Sequence, residues 1–423
     1  MRIAFVNQPF DKVRPPFQSS LGIWTYEVAR RLQNDHEVTL YVRGGRFRFG
    51  ELREDGVRYR FVPTAIDRQA QRIWSALPQS SDPKRPRFAS DLYHRAFAAA
   101  VARDLRRQNC DIVHVLNFSQ FIPVLRRHNP ATGIVLHMQC DWLAQLDPGI
   151  LGRRLHDADL VLGCSQYIAE NVRLAFPRFQ EKCRAVYNGV DTDVFAPNNG
   201  AAPRKTDTTK RILFVGRVSP EKGLHVLIEA FNRTRERFPN AHLDIVGPEG
   251  APPREFIVAL SDDPKVSDLG RFYARSYRSY LDELIPQEHK DRIAFLGNIP
   301  YAELVRRYRS ADVFVFPSVW DEPFGMPNIE AMACGVPVIA TAGGGIPELV
   351  EHGRSGLLVE RNNVAELADA MTTLLDDENL RDSMGRAGRA RVTERFTWQR
   401  IADDLVAEYT TLGAPVPQPV AVG

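Results

Sequence analysis

A chain of 423 residues with 44% hydrophobic and 25% charged content has the composition of a globular protein, long enough for two or three domains that each bury a core. The formal net charge of +3 is small but hides an asymmetry between the two halves, and no apolar run approaches the roughly 20 residues that a membrane-spanning helix needs. Cys110, Cys140, Cys164, Cys183 and Cys334 are scattered, odd in number and without CxxC spacing, which argues for reduced thiols and against a zinc site.

The chain begins MRIAFVNQPF, a strand and not a signal peptide, so the expected location is cytoplasmic, with a peripheral position at the inner face of the membrane as the open variant. RIAFVNQ is followed by a loop with Pro9, Pro15 and Pro16, then by GIWTYEVARRL, an amphipathic helix expected to open at Gly22, and by the strand HEVTLYV. This βαβ order opens a doubly wound domain. Residues 43–60 and 84–107 are rich in arginine with interleaved aromatics, and FASDLYHRAFAAAVARDLRR reads as an amphipathic helix that either covers the sheet or lies on anionic lipid. Residues 1–200 carry 28 Lys+Arg against 20 Asp+Glu, while residues 201–423 carry 27 against 32, so the first half is the one suited to an anionic surface.

DIVHVLN, GIVLH, LVLGCS and CRAVYNGVD continue as short apolar strands of one parallel sheet. Residues 196–210 are polar and Pro/Gly-rich, which predicts an interdomain linker. A second α/β series then runs through RILFVGR, KGLHVLIEAFNRTRERF, HLDIVG, RIAFLG, AELVRRYRSA, DVFVFPS and PVIAT. Residues 250–291 are longer than the connections such a unit needs and are expected to hold a helix of their own. FTWQRIADDLVAEY carries a helical stripe of Trp398, Ile401, Leu405 and Val406, and the tail GAPVPQPVAVG is expected to be disordered. The domain limits are thus 1–196 with the helix 397–412 returning to it, 205–396, and a tail 413–423.

The densest chemistry lies in DEPFGMPNIE, residues 321–330, between a buried strand and a helix start. Open α/β sheets bind ligands at such a carboxyl edge. Gly325 lets the backbone approach a ligand, and Glu330 stands in an apolar run where a carboxylate needs a partner. VGRVSPEKGL adds Arg217 after a strand and Lys222 at a helix start, a pair suited to a diphosphate. Carboxylates Glu322 and Glu330 can accept hydrogen bonds from the hydroxyls of two polyol rings, so the combination spells sugar, diphosphate and ribose, a nucleotide sugar. The glycine cluster Gly343, Gly344 and Gly345 offers N–H groups to the same phosphates, and Gly22 either does so from the other domain or is a simple N-cap. His137 and Asp141 stand near a strand end, where a structural role is the commoner one for such residues and a functional one needs independent support. GxGxxG is absent after the first strand and at the glycine cluster, which disfavours an NAD enzyme, and the strings Asp157-Ala-Asp159 and Asp191-Thr-Asp193 are read as chance, not as a metal site.

VGRVSPEKG, EPFGMPNIEAMACGVPVIAT, GGIPELVEHGRSGLLV and YNGVD resemble glycosyltransferase family 4, nearly end to end. The resemblance implies an α/β GT-B fold, two doubly wound Rossmann-like domains facing across a cleft with the C-terminal helix crossing back to the N-terminal, acceptor-binding domain. It also implies a retaining, metal-independent transfer of a hexose-type sugar from a nucleoside diphosphate, UDP favoured, to an acceptor hydroxyl, with no cofactor. By that likeness Glu322 holds the sugar hydroxyls, the backbone at Phe324, Gly325 and Met326 meets sugar and phosphate, Glu330 binds ribose, Arg217 and Lys222 clamp the diphosphate, His137 lies near the reacting sugar, and the base lies on Gly297, Asn298 and Ile299. Leu21-Gly22 stands where the family commonly has Gly-Gly. The implied partners are the donor and a small-molecule, lipid or glycan acceptor, without nucleic acid. A weak membrane contact through the basic N-terminal domain and a homodimer are left open. The alternatives are a non-catalytic nucleotide-sugar-binding protein and a membrane-surface transferase with a lipid-linked acceptor and a GDP-sugar donor.

Overall fold

Short β-branched and aromatic runs separated by helical periods give strands that can pair only in parallel through crossover helices, and the chain does this twice. The computed structural model describes residues 1–15, 19–45, 49–76, 82–198 and 209–413; most of the expected linker 196–210 and of the tail 413–423 lies outside the described residues. Two compact units result: Met1–Asn188 with Trp398–Gly423, and Gly189–Thr397.

The first unit contains β1 (Arg2–Val6), β2 (Glu37–Arg43), β3 (Gly50–Glu54), β4 (Val57–Val62), β5 (Ile112–Leu116), β6 (Gly133–Met138), β7 (Leu160–Gly163) and β8 (Cys183–Ala185), in the sheet order β3-β4-β2-β1-β5-β6-β7-β8. Every pairing is parallel except β3 with β4. That antiparallel hairpin lies in the arginine-rich stretch 43–60, where no element was expected, and its signal is local: Asp55 and Gly56 both take positive φ, 50° and 74°, as an Asp-Gly hairpin turn requires. The helix expected over residues 88–107 is shorter, Arg95–Gln108, because His94 turns the chain through a left-handed conformation and Asp67 takes the first free N–H groups of Ala96 and Phe97. It covers the sheet, with Asp104 bonded to Tyr41 and Arg60 of β2 and β4.

The second unit contains β9 (Arg211–Val215), β10 (His242–Val246), β11 (Ile293–Gly297), β12 (Val313–Phe316), β13 (Val338–Thr341) and β14 (Gly356–Val359), all parallel, in the order β11-β10-β9-β12-β13-β14. Residues 189–196 belong here and not with the first unit, where the sequence had placed them. Arg389 holds the carbonyls of Thr192 and Phe195, Arg309 those of Val194 and Ala196, and the Phe195 ring packs on Tyr301 and Tyr308. The long segment 250–291 folds into short helical turns and one helix of its own, Tyr277–Glu283.

The last helix, Trp398–Thr410, belongs to the first unit and packs on the helix Ser20–Leu32, burying Trp398, Ile401, Ala402, Leu405 and Tyr409. No helix among the described residues is long and apolar enough to cross a membrane. None of the five cysteines forms a disulfide. Trp24, from the helix Ser20–Leu32, is fully buried against Phe5 and His114. Trp24→Ala is expected to cost about 3–5 kcal/mol, read as a lowered denaturation midpoint at unchanged slope.

Candidate active site at the switch point of the second sheet

In the second sheet the chain runs from β9 outward to β11 and then returns to the other side of β9 with β12, so the order reverses between β9 and β12. At such a reversal the loops leaving two neighbouring strands diverge and open a crevice. Here they are residues 216–223 after β9 and 317–325 after β12. Gly223, at φ 71°, fits because an added Cβ would stand 2.0 Å from the carbonyl oxygen of Pro317. Val319 N–H donates to the carbonyl of Glu221, locking the two loops together.

Across this crevice Lys222 Nζ donates to both oxygens of Glu322, at 2.9 and 2.7 Å. Glu322 Oε2 also accepts from Ser318 Oγ at 3.1 Å and Trp320 Nε1 at 2.7 Å. Side-chain exposures of 14% and 9% mark the pair as largely withdrawn from water, where a lone charge would be costly. The ammonium group also stands 5.4 Å from the Phe316 ring centroid and 5.3 Å from that of Trp320. By count of donors, Lys222 keeps one N–H, and Glu322 Oε1 keeps a lone pair.

Arg217, at the end of β9, is exposed and pairs with no carboxylate among the described residues. Gly325, at φ 91°, precedes the helix Met326–Ala333 and offers no capping side chain. The helix N-terminus therefore presents backbone N–H groups at Gly325 and Met326 that a ligand can take. The Phe324 side chain is buried against Phe396 and so does not reach a ligand. Glu330 accepts from the Tyr308 hydroxyl at 2.7 Å, and burial pushes its carboxyl up to about 7. Asn298 is exposed and Ile299 half-buried just after β11, with Gly297 at φ 61°.

The glycine cluster does not face phosphate as the sequence suggested. Gly343 N–H donates to Thr341 O, Gly344 N–H to the Asp321 side chain at Oδ1, 3.0 Å, and Gly345 N–H to Glu322 O at 2.8 Å, so all three are taken up within the unit and the last two hold residues 321 and 322. Asp321 is held from the other side by Arg361, which also reaches Asp263 and the Val319 carbonyl. Ser318, Trp320, Asp321, Tyr308 and Arg361 were missed in the sequence. Ser318 and Trp320 had only the signal of nearness, standing four and two residues before Glu322 in the same loop.

In the first unit Gly22 has a structural duty. The helix opens at Ser20, the Gly22 N–H donates to the capping Ser19 Oγ at 3.1 Å, and an added Cβ would lie 1.8 Å from the Lys12 carbonyl oxygen. His137 ends β6 with no exposed surface, its ring nitrogens facing His114 and Gln139, and burial lowers it to about 3. Asp141 bonds to Asn171, Asp159 to Arg126 and Asp191 to the N–H groups of Asp193 and Val194.

Residues 197–391 match the family described as glycosyl transferases group 1, and residues 21–194 match glycosyltransferase family 4. A putative glycosyltransferase of Bacillus subtilis, YtcC, is 30% identical over 333 residues, 75% of this chain and 77% of that protein. Among solved structures, sucrose-phosphate synthase from Thermosynechococcus elongatus aligns with a TM-score of 0.71 at 23% identity, over 98% of this chain and 100% of that one. Anabaena HepE in complex with UDP and glucose aligns at 0.67 and 20%, over 97% and 100%. These likenesses bear out the expected two-sheet α/β architecture of the GT-B type.

Two variants probe the geometry. Gly344→Ala, which forces a Cβ to within 2.2 Å of the Glu322 carbonyl oxygen at φ 60°, is expected to lower the melting temperature and displace Glu322. Glu330 binds its proton more tightly folded than unfolded, so its own contribution to stability is complete below pH 4.5 and is lost as pH rises through about 7; Glu330→Gln should flatten that stretch of a pH–stability curve.

Proposed function

Because the chain belongs to the group 1, family 4 glycosyltransferases, we propose that it transfers a hexose-type sugar from a nucleoside-diphosphate sugar to an acceptor hydroxyl, with retention at the anomeric carbon and without a metal. The observation that carries this reading is the Lys222–Glu322 pair at the β9/β12 switch point, beside an unpaired Arg217 and an uncapped helix N-terminus. Arg217 and the remaining N–H of Lys222 take the diphosphate and stabilise it as it leaves, which is the charge that develops in the transition state. Glu322 Oε1 accepts from a sugar hydroxyl, the Gly325 and Met326 N–H groups meet sugar and phosphate oxygens, and Glu330 accepts from ribose. The base lies along Asn298 and Ile299. The departing phosphate oxygen takes the acceptor proton on the face from which the acceptor attacks, so the sugar keeps its configuration. UDP is the favoured nucleotide, in keeping with the ligand of HepE.

Thermal-shift measurements with UDP-, ADP- and GDP-sugars are expected to show stabilisation by the UDP series, and anomeric NMR of the product to show retention. Glu322→Gln is expected to lower kcat about 100-fold or more, the loss typical of one preorganised polar contact to the reacting group. Its melting temperature should fall as well, because Lys222 loses its counter-charge, so kcat is scored per folded enzyme; a fully active Glu322→Gln enzyme would sink the reading. Turnover is expected to persist in EDTA. Slow hydrolysis of the donor without acceptor separates an enzyme from a silent binder.

A membrane-surface acceptor has one observation in its favour. On the helix Ala65–Ser75, Ile66 and Ile73 are 72% and 65% exposed, and they lie among Arg68 and Arg72. Cosedimentation with anionic vesicles that is lost in Ile66→Ser/Ile73→Ser is the expected outcome; equal recovery of parent and variant would dismiss a membrane contact through this helix.

A further inference from the structure

The first unit carries a buried chain of polar groups that the donor site does not use. His114 on β5 and His137 on β6 lie on one face of the sheet, since the register pairs His114 with Val135 and Leu116 with His137. Trp24 stacks on His114, centroids 5.3 Å apart, and meets His137 edge-on at 4.8 Å. From the last helix the Tyr409 hydroxyl reaches His114 Nδ1 at 2.7 Å, and His114 Nε2 stands 3.1 Å from His137 Nδ1. His137 Nε2 in turn faces the Gln139 amide at 3.2 Å, and that amide meets Asn188 at 2.8 Å. Tyr409, His114 and His137 have no exposed surface.

The protons in this chain have one consistent order. A neutral imidazole has one donor and one acceptor nitrogen. Burial keeps both rings neutral and the phenol protonated. The Tyr409 O–H meets no acceptor among the described residues other than His114 Nδ1, so it donates there. The His114 proton is then on Nε2 and is donated to His137 Nδ1, which places the His137 proton on Nε2, toward Gln139. Asn188 Nδ2 donates to Gln139 Oε1, which sets the Gln139 NH2 against His137 and leaves Asn188 Oδ1 without a partner. A half-turn of both amides lets Gln139 Oε1 accept from His137 and its NH2 donate to Asn188 Oδ1, and it moves the partnerless buried position from the Asn188 oxygen to its NH2.

From this order the geometry points to Gln139 as a substrate-contacting residue, oriented by Tyr409, His114 and His137 as positioning residues, with one amide N–H and one oxygen lone pair left for a sugar-type hydroxyl. Gln139 is half-buried at the carboxyl end of β6, and its backbone N–H is fixed by Asn117 Oδ1 at 2.7 Å. The family resemblance set His137 itself beside the sugar; both its ring nitrogens are taken up inside the first unit, and Gln139 is the member of this chain of groups with exposed surface. The identity of the ligand rests on the glycosyltransferase reading. The proton order does not.

The test uses the full chain labelled with 15N-histidine, with resonances assigned by the single variants His114→Gln and His137→Gln. Both rings are expected to carry the proton on Nε2 with Nδ1 bare. Tyr409→Phe, which removes only the hydroxyl, is expected to shift these two rings toward the other tautomer while the remaining histidines stay unchanged. A proton on Nδ1 of either ring in the parent, or a Tyr409→Phe spectrum identical to the parent, overturns the relay. With the UDP-sugar that the parent turns over, Gln139→Leu is expected to lower kcat/KM about 30-fold and Tyr409→Phe about 5-fold, both folding normally. An unchanged kcat/KM in Gln139→Leu overturns the contact role even with the tautomers as stated. If the parent turns over no nucleotide sugar, the functional reading fails and the contact falls with it, while the spectra still decide the relay.

Discussion

The second unit is arranged around one ion pair drawn partly out of water. Lys222 and Glu322 are 100 positions apart and come from the loops after β9 and β12. Removing charges from water is costly, and attraction offsets that cost only when geometry is good and the remaining donors and acceptors are met. Here Ser318 and Trp320 complete the carboxylate, aromatic faces flank the ammonium, and the Glu221 carbonyl ties the loops. The pair is preorganised before any ligand arrives, which is what electrostatic stabilisation of a leaving diphosphate requires.

The loop that carries Glu322 is braced in turn, partly by the glycines that the sequence offered as phosphate contacts. Gly343, Gly344 and Gly345 spend their N–H groups on Thr341, Asp321 and Glu322, and Arg361 braces Asp321 while tying in Asp263 of the long segment 250–291. Glycine is needed at residue 344 because the Glu322 backbone passes too close for a side chain. The same close approach explains Gly22 in the first unit, where the Lys12 carbonyl occupies the space of a Cβ.

The two units place their polar chemistry differently. In the second, the charged groups stand at the rim of the switch point with Arg217 in water. In the first, the polar groups run inward as neutral rings and amides, sealed by Trp24 and Tyr409, so proton order and not charge sets their orientation.

The sequence alone determined the two α/β series, the strand–turn–helix context of residues 321–330, and the residue types of the nucleotide-sugar reading, because these rest on local periodicity and on chemistry carried by single side chains. It could also have yielded the Asp55-Gly56 hairpin, since an Asp-Gly turn signal is local. Only the tertiary structure decided that Lys222 pairs with Glu322, that the glycine cluster braces the loop, that residues 189–196 belong with the second unit, and that Tyr409 lies against His114. Each of these depends on groups far apart in the chain being brought together by strand order, and a hydrogen bond between residues 114 and 409 has no trace in either local pattern.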